Sequence, residues 1–106
     1  MIIEYIRYAL KNHTPKEFIA AYIEGGYHLR AAPECLSYEL SRCSEDDHVF
    51  ILRIQWVSVE AHLQQFRGGP YFTPFLSAIG KFIPEIAEMR HYEVVLGGVG
   101  EYKVAT

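Results

Sequence analysis

A chain of 106 residues with a formal charge of -3 is long enough for one hydrophobic core and too short for two. Half of it is hydrophobic and 22% is charged, with 8 Tyr, 6 Phe and 1 Trp, which excludes a disordered polymer. The acidic balance and the scattered Lys and Arg provide no field to hold phosphates, so nucleic acid is not an expected partner.

The opening Met1-Ile2-Ile3-Glu4-Tyr5-Ile6-Arg7 has an early acid and no long apolar run. It fits neither a signal peptide nor a membrane span, and a cytoplasmic location is the default expectation. Residues 2 to 10 are rich in β-branched and aromatic types, interrupted by Glu4 and Arg7, and read as a first strand. Thr14-Pro15-Lys16-Glu17 supplies an N-cap, a proline at the first helical position and a capping-box glutamate, which starts a helix carrying Phe18, Ala21, Tyr22 and Leu29 at helical spacing. Gly25-Gly26 predicts a C-cap or a bend; the other reading is that the missing side chains make room for a ligand or a partner.

From Cys35 to Arg42 polar and apolar residues alternate, with Leu36, Tyr38 and Leu40 on one face. After a turn at Ser44-Glu45-Asp46-Asp47, the segment from His48 to Trp56 puts Phe50, Leu52, Ile54 and Trp56 on one face and Val49, Ile51, Arg53 and Gln55 on the other, completing a hairpin. Cys35 and Cys43, eight positions apart along a strand, would lie roughly 26 Å apart at ~3.3 Å per residue, which excludes a disulfide between them within one chain.

Ser58 is placed to cap a short helix with the stripe Val59, His62, Leu63 and Phe66, which Gly68-Gly69-Pro70 breaks. Another begins near Thr73-Pro74 and carries Phe75, Leu76, Ile79 and Phe82 or Ile83 until Pro84. Residues 86 to 95 read as a last strand, closing a domain of residues 1–96. Residues 97–106, glycine-rich at their start, form a tail or an arm that grasps a partner.

The order β-α-β-β-α-β predicts an α+β ferredoxin-like fold, a four-stranded antiparallel sheet with both helices on one face. The other face, with Val49, Ile51 and alternating positions of the first and last strands, is expected to be an apolar patch too large for a monomer. A homodimer packed sheet against sheet is the predicted remedy, with Glu39 and Arg53 on that face available to fix its geometry.

Pro33-Glu34-Cys35-Leu36-Ser37-Tyr38-Glu39-Leu40, then Phe50 and Trp56-Val57-Ser58-Val59-Glu60-Ala61, then Pro70-Tyr71-Phe72 with Phe75, resemble the antibiotic biosynthesis monooxygenase family of dimeric α/β-barrel proteins over residues 2 to 95. The resemblance implies a homodimer and a cofactor-free oxidation of a small aromatic, a phenol or quinol, by dioxygen. Such chemistry needs a dry pocket, a base and a donor for the developing anion.

On this resemblance Trp56 is either a stacking platform for the substrate or a large core residue. His62 is either a base or orienting group, or a satisfied core or interface histidine. Tyr71 and Phe72 are candidates for the pocket mouth, with Phe66 and Tyr22 as further substrate contacts, and His28, His91 and Tyr92 as lesser candidates. The chain departs from the family pattern where histidine, asparagine or arginine give way to Phe66, Leu52 and Leu76. That thins the polar apparatus and favours, as the alternative, a non-catalytic dimer that binds an apolar aromatic ligand. Leu76 stands where a haem-degrading branch carries its axial histidine, so haem breakdown is disfavoured. The five histidines show neither HxH nor HExxH spacing and the cysteines no CxxC, so neither a metal nor a cofactor is expected.

Overall fold

The computed structural model describes residues 2–97 of the chain. The expected tail, apart from Gly97, lies outside the described residues. Four strands, β1 (Ile2–Ala9), β2 (Cys35–Arg42), β3 (Val49–Trp56) and β4 (Ile86–Glu93), form one antiparallel sheet in the order β2-β3-β1-β4. Helix α1 (Pro15–Ala31) follows β1, and a π-helical turn (Ala61–Phe66), helix α2 (Phe72–Ile79) and a 3-10 segment (Gly80–Glu85) connect β3 to β4. This is the ferredoxin-like α+β arrangement.

The first turn of α1 forms as its sequence dictates. Thr14 Oγ1 accepts from Glu17 N at 3.1 Å while the Glu17 carboxylate reaches back to Thr14 N at 3.3 Å, so two otherwise unpaired donors are satisfied. The expected stop at Gly25-Gly26 does not occur, and α1 runs on to Ala31. A Cβ on Gly25 would stand 3.0 Å from Ile79 of α2, and one on Gly26 would collide with the Tyr38 hydroxyl of β2. The absent side chains therefore make room for neighbouring elements of the same chain. Closer packing of the helix outweighs its poor propensity there.

Alternation along β3 is realised: Phe50, Leu52, Ile54 and Trp56 are each 2% exposed or less. Strand β2 departs from its pattern, because a register shift between Cys35 and Ser37 turns Leu36 out to solvent while Tyr38 and Leu40 stay on the helix side. In the segments after β3, His62 and Phe66 are buried whereas Val59 and Leu63 are not; Phe75, Ile79 and Phe82 pack inward whereas Leu76 and Ile83 do not.

The face away from the helices is less uniformly apolar than expected. Its centre alternates apolar and polar groups: Ile3 is opposite Gln55, Ile51 is opposite Arg7, and Arg53 is opposite both Tyr5 and Glu39. Its edges are Ser37, Glu39 and Ser41 on β2 and Glu88, Arg90 and Tyr92 on β4, so the apolar part is confined to the two central strands. Among the described residues no helix is long and apolar enough to cross a membrane.

Candidate active site

The site begins with one register relationship. Glu4 pairs with Ile54 on β3 and with His91 on β4, which sets its side chain on the helix-covered face, diagonal to Trp56. There the carboxyl is 1% exposed, a burial that a carboxylate tolerates only with partners. The Trp56 indole N–H donates to Glu4 Oε1 at 3.0 Å. Glu4 Oε2 has no hydrogen-bond partner.

His62 enters from the π-helical turn. Ser58 Oγ accepts from Ala61 N at 3.0 Å, and Arg67 N closes the wide turn on His62 O at 3.3 Å, five residues back. The His62 ring stacks on the indole of Trp56 at 4.4 Å between centroids and 14° between planes. Its Nε2 lies 3.6 Å from Glu4 Oε1, and its Nδ1 is hydrogen-bonded to His91 Nε2 at 2.7 Å. His91, delivered by β4, keeps 24% of its side chain exposed, so the cluster runs from a buried carboxyl to the surface.

Burial pushes the Glu4 carboxyl up to about 6, against the opposing pull of the Trp56 N–H and the Arg67 guanidinium. Burial, with Arg67 and His91 adding to it, holds His62 down at about 4. His91 is lowered by burial and by Arg67. Both imidazoles are therefore neutral at ordinary pH, and the cluster carries at most the one negative charge of Glu4, offset by Arg67.

Glu4, Trp56, His62, Phe66, Arg67 and Phe72 line a cavity of about 240 Å³ between sheet and helices. Tyr8, Tyr22, Phe75 and Leu76 complete much of its wall. The Tyr8 and Tyr22 hydroxyls are hydrogen-bonded to each other; burial pushes Tyr8 up to about 12 and raises Tyr22 as well, so both stay neutral. A larger open groove of about 600 Å³ runs between α1 and β2, but its charged groups, Arg30 and Arg42, are surface side chains.

The fold thus brings together four of the residues singled out in the sequence, Trp56, His62, Phe66 and Phe72, with Tyr22 on the far wall. Trp56 has one face covered by His62, so it holds Glu4 by its N–H more than it offers a free stacking surface. Tyr71 packs half-buried against the core without lining the cavity, His28 is half-buried on α1, and Tyr92 lies on the opposite sheet face against Tyr5. Glu4 and Arg67 carried no signal in the sequence beyond being charges in otherwise apolar or glycine-rich surroundings.

By residue type Glu4, His62 and His91, with ligating atoms within 4.8 Å of one another, form a set capable of holding a metal ion. Two features turn them from that use. His62 Nδ1 and His91 Nε2 are engaged with each other, and the Arg67 cation already acts on all three side chains.

Comparison with known proteins follows the same line. Residues 1–77 match the sequence profile described as antibiotic biosynthesis monooxygenase. The chain is 22% identical to the uncharacterized protein YczJ of Bacillus subtilis over 95 residues, covering 90% of this chain and all of YczJ. Its fold is similar to a Bordetella bronchiseptica protein described under the same family name, with a TM-score of 0.74 and 22% identity over 90% of this chain and 97% of that one. It is also similar to SnoaB, a cofactor-independent oxygenase of Streptomyces nogalater, with a TM-score of 0.72 and 16% identity over 88% and 91% of the two chains.

Proposed function

Since the chain belongs to the antibiotic biosynthesis monooxygenase family, we propose that it oxidises a small phenol or quinol with dioxygen in the cavity beneath Trp56, without metal or flavin. The observation that carries this reading is a buried carboxyl-imidazole cluster opening on a space whose other walls are apolar apart from Arg67 and the paired Tyr8 and Tyr22 hydroxyls. A cavity of roughly 150 Å³ already admits benzene, so about 240 Å³ suits one substituted ring. It is far too small for a porphyrin, which agrees with Leu76 standing where a haem ligand would be needed.

The chemistry balances without a reductant. A quinol that takes up dioxygen and releases water becomes a hydroxyquinone: one oxygen atom enters the ring, the other leaves as water, and the substrate supplies the electrons. Removing the hydroxyl proton makes the ring electron-rich enough to start this exchange. The apolar side chains of the lining limit the access of bulk water to the oxygen-bearing intermediate. The apolar side chains Ile3, Tyr5, Val49 and Ile51 on the uncovered sheet face, although interspersed with Arg7, Arg53 and Gln55, support a homodimer as the working form.

Oxygen uptake by chelator-treated protein with single-ring quinols tests the reading, with turnover above the autoxidation background expected. Saturable quenching of Trp56 fluorescence by quinols with no oxygen consumption would replace it with a non-catalytic aromatic binder. That alternative draws support from Tyr8 and Tyr22, whose hydroxyls are engaged with each other and leave that wall apolar.

A further inference from the structure

We propose that Glu4 is the proton acceptor of this pocket, taking the substrate hydroxyl proton on Oε2, and that the His62–His91 pair carries it onward to solvent. The inference rests on the phenol or quinol reading above and names the group that starts the reaction.

The first support is an unmet demand. Glu4 Oε2 is buried and has no donor, although Oε1 of the same carboxyl is held by Trp56 at 3.0 Å. An orphaned carboxylate oxygen is costly in an apolar site. A ligand hydroxyl entering the cavity is the donor that would satisfy it. The second is the neighbouring charge: Arg67 lines the same cavity and compensates the anion left on the ligand.

The third is the order of the groups. Glu4 is buried, His62 is 5% exposed and His91 opens to solvent; His62 Nε2 lies 3.6 Å from Oε1, His91 Nε2 lies 3.9 Å from Oε2, and the two imidazoles are 2.7 Å apart. The groups facing Glu4 are Trp56 on β3, His62 and Arg67 on and just after the π-helical turn, His91 on β4, and Tyr8 and Tyr22 deeper in the wall. The tyrosines stay neutral and bonded to each other, so they do not compete for the proton.

His62, the residue the sequence offers as a base or a core histidine, is the weaker acceptor. Burial raises the carboxyl and lowers the imidazole, so of the two Glu4 is the preferred seat of the proton. In the step itself the ligand O–H bond breaks, its electron pair stays on oxygen as the phenolate, and the proton bonds to Glu4 Oε2. In the return step the carboxyl turns its protonated oxygen towards His62, which accepts the proton at Nε2 and passes the one on Nδ1 to His91 Nε2. His91 releases a proton to water from its other nitrogen, and Glu4 is again a carboxylate.

Two measurements test this. In oxygen uptake with a single-ring quinol, Glu4→Gln is expected to lower turnover about 100-fold or more, with quinol quenching of Trp56 fluorescence retained. His91→Ala is expected to be slow in dilute buffer and restored by added imidazole, a rescue that a merely structural role would not show. The second measurement needs no turnover: 4-nitrophenol bound near pH 6 is expected to show its phenolate band in the wild type and only the neutral band in Glu4→Gln. Equal phenolate in both proteins would overturn the assignment of Glu4, whether or not quinols are oxidised. Equal rates in wild type and Glu4→Gln would also overturn it, as would activity lost to a chelator and restored by a divalent metal. Turnover absent with the nitrophenol difference present would sink the oxygenase reading alone.

Discussion

Glu4 and Trp56 stand 52 residues apart in sequence and diagonal to each other across β1 and β3, joined by the 3.0 Å bond from the indole N–H to Oε1. This bond decides which carboxylate oxygen remains free. Trp56→Phe keeps an aromatic ring and removes the donor, so Oε1 joins Oε2 in having no hydrogen-bond partner. The Trp56 N–H is a force that lowers the Glu4 carboxyl, so its loss is expected to move the acid limb of the pH-rate profile upward from about 6. Oxygen uptake across pH 4.5 to 8.5 would read the shift, and an unmoved limb would show that the indole does not hold the carboxyl in solution.

The Tyr8–Tyr22 pair is expected to behave as a buried two-member network. Tyr8→Phe leaves the Tyr22 hydroxyl buried without its partner and should cost about 1–3 kcal/mol. Adding Tyr22→Phe removes the orphan, so the double variant should recover much of that loss. Urea midpoints of the four proteins would show it, and additive losses would refute the pairing.

Glu85 governs acid stability. It accepts from Lys11 N at 2.5 Å and Asn12 N at 2.7 Å and pairs with His13 Nδ1, tying the loop after β1 to the segment before β4. Burial alone would raise this carboxyl, but the bonds from Asn12, His13 and Lys11 outweigh it and pull it down to about 2. A depressed carboxyl contributes stability that is present above about 4.5 and is lost as pH falls towards 2. Glu85→Gln should therefore be less stable than wild type at pH 7 and show a flatter decline between pH 5 and 2.5, as followed by denaturant midpoints.

Gly26 is held open by Tyr38. Gly26→Ala is expected to destabilise the wild type, because the new methyl meets the Tyr38 ring. In a Tyr38→Ala background the same change meets space and should stabilise α1 by up to about 1 kcal/mol through helix propensity. The sign reversal between backgrounds, measured by thermal or urea unfolding, is the diagnostic result.

How much of this was legible in the chain follows from the range of each signal. The Thr14–Glu17 capping box and the alternation from Phe50 to Trp56 are local, and both form as their spacing dictates. Leu36 left its expected face because a register shift is a property of two strands and leaves no mark in one. Glu4 looked like an interruption of an apolar strand, since single-sequence periodicity assigns a lone charge to solvent. Only the pairing of β1 with β3 and β4 puts it beside Trp56 and His91. Arg67 next to Gly68 reads as a loop charge for the same reason, whereas His62 was found because its partners Trp56 and Phe66 lie close in sequence.

The winding of the turn between Ala61 and Phe66 carries a further consequence. Closure from Arg67 N to His62 O spans five residues, so the two side chains share the cavity although ordinary α winding would place them on different flanks. Rewinding by one residue would rotate Arg67 by about 100° relative to His62. The guanidinium would leave while the carboxyl, fixed by the sheet, stayed behind. Charge balance in the pocket is thus encoded in the pitch of one turn, which could change without touching a single cavity-lining side chain's identity.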